Sequence, residues 1–300
     1  MDLVVATRRS PLALAQTRAF VRDLCAGVPG LNVEELQVVT TGDRVQDRPL
    51  SEIGGKGLFV KEIEEALLEG RARFAVHSMK DLPARLPEGL SIACVPERAD
   101  PRDMLLVREG LEPSFTALPR GARVGSSSLR RKLSLLQVRP DLVVEPLRGN
   151  VDTRLRRLRE GAFDAILLAA AGLSRLGVPA EELPARAALS VDVMLPAVAQ
   201  GVLAIEARDD DDDTRGVLAT RAHAASGLRA AAERGVLAAL DADCTVPLAA
   251  YAELDGTRMR LRGRLWDPDG TKLREDAIEG EVSDVGAAAA LGRTLGLRLR

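Results

Sequence analysis

Between Ala122 and Gly177 the same local pattern recurs three times. ARVGSSS runs into a helical stretch from Leu129, DLVVEPLRGN into VDTRLRRLREG, and FDAILLAAAGLSRLG contains both halves in one segment. Each is an apolar run, a small or polar turn, and a 3.6-residue periodicity, which predicts consecutive βα units and a largely parallel sheet. The first hundred residues repeat the pattern. LVVAT (3–7) reads as a strand, and Ser10 then caps a helix with Pro11 at its first position, running to about Cys25. VEELQVVTT (33–41) and ARFAVHS (72–78) read as further strands, and GLFVKEIEEALLEG (57–70) as an amphipathic helix between them.

From about residue 217 the texture changes. RAHAASGLRAAAERGVLAAL predicts a helix. DADCTVPLAAYAEL, TRMRLRGRLWDPDG and TKLREDAIEGEV then predict three strands joined by Asp-Gly turns, and an alanine-rich helix closes the chain. The expected fold is α/β, two lobes with mainly parallel sheets followed by a small α+β region. The run Asp209–Asp213 reads as a solvated linker and helix N-cap. Seven aromatic residues in 300 leave the core to Leu, Val, Ile and Ala. Three widely spaced cysteines, Cys25, Cys94 and Cys244, suit a reducing compartment better than a disulfide framework. Two histidines 146 positions apart and no CxxC argue against a metal site. MDLVVATRRSPLAL has neither a basic leader nor a long apolar stretch, and no run approaches 18 apolar residues. The expectation is a cytoplasmic protein without export signal or membrane span.

The formal charge is −2, yet residues 120–160 hold eleven Lys and Arg against four Asp and Glu. Arg156 and Arg159 suit a solvated helix face. Arg130, Arg131, Arg148 and Arg154 stand in or just after βα turns, where the first amides of a helix also favour anions. Guanidinium forks match carboxylates in paired hydrogen bonds, and Ser127 and Ser128 add hydroxyls. These residues predict a pocket for an anion with several carboxylates or phosphates. Nucleic acid is disfavoured by the scarcity of aromatics and the net negative charge. IGGKGLF fails the phosphate-loop pattern, because Gly57 stands where Ser or Thr is needed and Leu50–Ser51 where the leading glycine would fall. In HSMKDLP, Asp81 sits at the mouth of a strand beside Lys80. Its bland reading is a turn cap; in an arginine-lined cleft it could instead stabilise a cation or carry protons. Cys244, flanked by acidic residues, reads from its neighbours as a small buried thiol and not as a nucleophile.

Taken together, ATRRSPLALAQ, VTTGD, GGKGLFVKEIEEALL, AVHSMKDLP, DPRD, VGSSSLRR, RPDL, LRGNVDTRL, DAILLAAAGLSRLG, LPAVAQG, AERGVL and CTVPLAAYAEL resemble the porphobilinogen deaminase (hydroxymethylbilane synthase) family, in order, from residue 4 to about 253. The resemblance implies an enzyme that joins four porphobilinogen molecules head to tail, each losing ammonia. Growth starts on a dipyrromethane cofactor held as a thioether by the cysteine that matches Cys244, whose partner would be an electrophilic azafulvene. The family's catalytic aspartate matches Asp81. Its carboxylate-binding residues match Lys80, Ser128, Arg130, Arg131, Arg148 and Arg154 for the cofactor, and Arg8, Lys56, Arg148, Arg154 and Arg175 for substrate. Each pyrrole carries an acetate and a propionate, which would explain the arginines. Arg120, Arg123, Arg139, Arg156, Arg157 and Arg159 are left as surface. The resemblance also implies a monomer of three domains: residues 1–97 with 196–216, residues 98–195, and residues 217–300. Domains 1 and 2 would resemble the lobes of periplasmic binding proteins, with LPAVAQGVLAIEAR returning to complete the first. Four positions depart from the family's usual residues: Glu52, Ser126, Ala199 (usually glycine) and Asp243 (usually glycine). A two-lobed solute receptor would explain the arginines without needing Asp81 or the region around Cys244.

Overall fold

The computed structural model describes residues 1–44, 60–242 and 246–300. Lys56, Glu52, Asp243 and Cys244 lie outside the described residues. Two five-stranded sheets share one plan. The first is built from β1 (Asp2–Arg8), β2 (Asn32–Val38), β3 (Phe74–Ser78) and β4 (Leu90–Cys94). The second uses β5 (Asp103–Val107), β6 (Arg123–Gly125), β7 (Val143–Glu145), β8 (Ala165–Ala169) and β9 (Arg186–Ala188). A later strand, β10 (Leu203–Arg208), returns to the first sheet, and the orders are β2-β1-β3-β10-β4 and β7-β6-β8-β5-β9. In each, four strands run one way and the fourth in the row is reversed. The reversed strands are β10 and β5, the first strand the chain forms after crossing from the other sheet. The central strands FAVHS and AILLA are buried along almost their whole length, as strands covered on both faces must be.

The expected helix starts are present, each with its cap. Ser10 accepts a hydrogen bond from Ala13 N (3.3 Å), Ser128 from Arg131 N (3.4 Å) and Asn150 from Thr153 N (3.0 Å), at the heads of helices Pro11–Gly27, Leu129–Val138 and Val151–Arg159. One expectation needs correction. Asp211 does cap a helix, Asp212–Ala219, but it is buried, and it pairs with Arg73 (2.7 Å) and Arg208 (3.4 Å). Spacing alone could not show that Arg73, far along the chain, joins the neighbouring Arg208 on it.

The two crossings between the sheets, residues 98–102 and 196–202, run side by side. Ala99 N donates to Gly201 O (3.1 Å), Gln200 Nε2 to Pro101 O (2.7 Å), and Arg98 Nε to Gln200 O (3.0 Å). Gly201 has φ 88°, and a Cβ there would stand 2.5 Å from Ala99 O, so only glycine permits this approach. Two residues earlier Ala199 has φ 55°, a left-handed conformation that costs an L-residue roughly 1–2 kcal/mol. That is the position where glycine is the family's usual choice. The cost is offset by Ala199 N donating to Glu233 Oε2 at 2.6 Å. Glu233 is fully buried and also accepts from Arg98 (2.6 Å) and Ala252 N (2.9 Å), which ties both crossings to the C-terminal region.

That region is an antiparallel sheet of β11 (Leu248–Asp255), β12 (Arg258–Trp266) and β13 (Leu273–Glu281), packed on helices Ala224–Ala239 and Val285–Arg298. Its apolar core is continuous with Met79, Leu82, Val198 and Val202. The segment around Asp81 is therefore braced from the C-terminal side. Among the described residues, no helix is long and apolar enough to cross a membrane.

Candidate active site

The residues singled out in the sequence gather at the carboxyl ends of strands from both sheets. Arg8 ends β1. Met79–Asp81 form one turn of 3-10 helix directly after β3, held by Met79 N donating to Val202 O (3.0 Å) and Leu82 N to Met79 O (3.1 Å). Across from them, Ser126–Ser128 follow β6 and Leu147–Asn150 follow β7. Ser127 Oγ donates to Leu147 O (2.9 Å) and so stitches the two turns together instead of facing a ligand. Ser126 Oγ accepts from Ser128 N (3.2 Å), a bond a threonine would make equally well. Gly149 has φ 101°, and a Cβ there would meet Thr153 Cγ2 at 2.8 Å; this turn presents Arg148.

Electrostatically these groups form one cluster. Lys80 sits deep between the sheets while keeping some contact with solvent. Burial lowers its pKa to about 8, with Asp81 opposing the shift and Arg131 adding to it. Arg154 is lowered to about 10 by burial and by Arg131 and Arg148, again opposed by Asp81. Its Nε donates to Gly149 O (2.8 Å). Asp81 is exposed, and its charge is felt at both Lys80 and Arg154. Among the described residues, Asp81 and Asp103 are the carboxylates whose charge is felt at Lys80, and Asp81 the one felt at Arg154. The lowered basicity of Lys80 and Arg154 comes first from burial, with neighbouring guanidiniums adding to it.

Arg130 and Arg131 are not the open forks that the sequence suggests. Both are buried against Asp103, which is itself fully enclosed. Arg130 Nη1 donates to Asp103 Oδ2 (2.9 Å) and Leu195 O (2.8 Å). Arg131 donates through Nε to Asp103 Oδ1 (2.8 Å) and through Nη1 to Leu167 O (3.2 Å). Gln200 Nε2 adds a further bond to Asp103 Oδ1 at 3.1 Å. Burial alone would raise the Asp103 pKa; the two guanidiniums outweigh it and hold the carboxyl well below its usual range. The pair therefore acts more through its field than through free hydrogen-bonding edges. Asp103 and Gln200 went unassigned in the sequence. A charged residue opening the apolar strand DMLLV, and a glutamine among small residues in AVAQG, were the available signals. Arg175 lies at the far end of helix Ala170–Leu176. It donates to Gly201 O (2.7 Å) at the crossing, and burial lowers its pKa to about 10. The arginines read as surface do pair locally: Arg123 with Glu145 (2.9 Å), Arg139 with Asp141 (2.7 Å) and Arg156 with Glu160 (3.6 Å).

Comparison with known proteins gives the chain its relatives. Residues 3–216 match the family model described as porphobilinogen deaminase, dipyrromethane cofactor binding domain, and residues 227–300 match the porphobilinogen deaminase C-terminal domain. The chain belongs to the porphobilinogen deaminase family. A porphobilinogen deaminase from Sorangium cellulosum is 54% identical over 302 residues, covering 100% of this chain and 98% of its own. One from Roseiflexus is 49% identical over 297 residues, covering 98% and 95%. Among solved structures, the periplasmic VFT2 domain of Bordetella pertussis BvgS aligns over 73% of this chain and 84% of its own, at 17% identity and a TM-score of 0.42.

The described residues suit the dipyrromethane of that domain description. Two linked pyrroles bring four carboxylates, and the described residues gather Lys80, Arg130, Arg131, Arg148 and Arg154 here, with Ser128 at a helix start. The buried Lys80 ammonium carries a cost that can be measured. Its pKa in the folded chain lies below the unfolded 10.5, so between about 8 and 10.5 the unfolded state binds more protons and stability rises with pH. In a cofactor-free Cys244→Ser background, Lys80→Met is expected to be more stable than its parent at pH 7 by about 2 kcal/mol, the pKa shift discounted for the partial exposure of Lys80. The difference should shrink as pH rises through that window. Urea midpoints at three pH values check this, and a constant difference would refute it.

Proposed function

We propose that this chain is a porphobilinogen deaminase (hydroxymethylbilane synthase). It would be a transferase that condenses four porphobilinogen molecules head to tail, releases ammonia at each step, and delivers hydroxymethylbilane for porphyrin and haem synthesis. The observation that carries the reading is the cation-rich cluster at the meeting of the two sheets, with a single exposed carboxylate, Asp81, among Lys80, Arg131 and Arg154. The domain division is 1–97 with 196–216, 98–195 and 217–300. The enzyme would work as a cytoplasmic monomer, without nucleic-acid or membrane partners.

Dipyrromethane held through Cys244 would supply the free pyrrole carbon that the first unit joins, and each later unit joins the one before it. Lys80, Ser128, Arg148 and Arg154 hold carboxylates by direct contact, and Arg130 and Arg131 by their field. Arg8, Arg148, Arg154, Arg175 and Lys56 orient the incoming porphobilinogen. Close pairs of carboxylates repel by about 1 kcal/mol or more each at a protein surface, so a lengthening polyanion needs these cations. Asp81 accepts a hydrogen bond from the substrate pyrrole N–H. As the carbon–nitrogen bond breaks, the electron pair leaves with ammonia, and the positive charge left on the ring lies against the Asp81 carboxylate. The same carboxylate can take the proton that the new carbon–carbon bond displaces.

The test is the intact mass of the purified protein beside Cys244→Ser. The expected result is a wild-type mass increased by two linked pyrrole units and a variant at bare chain mass. A wild type at bare chain mass, unchanged after incubation with porphobilinogen, would overturn the assignment of Cys244.

A further inference from the structure

A second cavity, of about 470 Å³, lies between the first sheet and the C-terminal helices, within the range of small-molecule sites. None of the cluster residues lines it. Its walls are apolar: Met79 and Ala84 from the segment that carries Asp81, Ile92 and Val95 from β4 and its exit, Ala231 from helix Ala224–Ala239, and Ala289 from helix Val285–Arg298. Its polar groups are His223, Arg234 and Arg293; no Asp or Glu lines it. His223 Nδ1 accepts from Ser226 N (3.3 Å), which leaves the ring proton on Nε2, a donor. Arg293 is exposed, and among the described residues it has neither an ion pair nor a side-chain hydrogen bond. Arg234 donates through Nη2 to Pro83 O (2.9 Å) and Ala84 O (3.1 Å), while its Nη1 is buried with no partner.

Every polar group in the lining is thus a donor, two of them guanidiniums, and every other wall is hydrocarbon or thiol. Arg234 already feels the charge of Glu206, but a neutral ligand would leave Arg293 unmatched, and a polyanion would meet too much apolar surface. We propose that this cavity is a binding site for a small apolar monocarboxylate, separate from the pyrrole cluster. The carboxylate pairs with Arg293 at the rim, and the hydrocarbon chain lies against Met79 and Ala231. The proposal does not depend on the activity assigned above.

Octanoate is the probe, with acetate and octan-1-ol as controls that lack its chain or its charge. Calorimetry on the full purified chain should show one saturable octanoate site and no heat with either control. Ala231→Phe, which fills the cavity, should abolish binding. Arg293→Gln should weaken it about tenfold, the worth of one charged hydrogen bond. If Ala231→Phe does not fold, the methyl signal of Met79, assigned with Met79→Leu, decides: it should shift on octanoate addition in the wild type. No saturable binding, an unmoved Met79 signal, or binding that porphobilinogen displaces and Arg293→Gln leaves intact would each overturn the proposal.

Discussion

Asp81→Asn is expected to fold and bind like the parent but to turn over about a thousandfold more slowly, in the middle of the range for loss of a positioned acid–base group. The fold should survive because Asp81 is exposed and its turn is held by backbone bonds, Met79 N to Val202 O and Leu82 N to Met79 O. Arg234 fixes the next residues through Pro83 O and Ala84 O. An asparagine keeps the shape and can still accept from a pyrrole N–H. It cannot offset a full positive charge as ammonia leaves, and it cannot take a proton. Ammonia release per enzyme measures the loss, and urea unfolding confirms the fold. Asp81→Glu should recover part of the rate. Turnover within a few fold of wild type in Asp81→Asn would remove the role assigned to this carboxylate.

Asp103→Asn is expected to destabilise the chain by about 3–5 kcal/mol, the penalty for breaking a buried ion pair from one side. Asp103 is fully buried and receives Arg130, Arg131 and Gln200 at 2.8–3.1 Å. A neutral amide leaves two enclosed guanidiniums without their counter-ion, and its NH₂ group would point at another donor. Against a total stability of about 5–15 kcal/mol, this leaves a marginal protein. Urea unfolding at neutral pH reads the difference, and a loss below about 1 kcal/mol would show that water reaches the guanidiniums. Surviving folded protein should also bind carboxylates differently, since Asp103 helps to keep the nearby Lys80 protonated.

Much of this molecule was legible in the residues. The βα rhythm announced the three turns between Ala122 and Gly177. The cap Ser10 marked a helix start because its side chain satisfies an amide a few residues away, a local bond that local sequence can predict; Ser128, read as a hydroxyl for the ligand, caps its helix in the same way. The strands missed were β4, β5 and β9. These are short or begin with charge, as β5 does at Asp103, and their place is set by strands far along the chain, β10 for β4, β8 and β9 for β5. Of the candidate cluster, Lys80 and Asp81 were legible as polar residues leaving a buried strand. The state of Arg130 and Arg131 was not, because it depends on Asp103 arriving from another strand.

The sequence by itself determined the periodicities, the cap at Ser10 and the arginine surplus in a chain of net charge −2. These follow from chemistry within a few residues or from simple counting. Only the tertiary structure decided which cations face the cluster and which are spent on Asp103. It also reversed β5 and β10 within their sheets, and it enclosed an apolar cavity behind Met79. Each of these rests on groups far apart in the chain, whose meeting is a matter of packing.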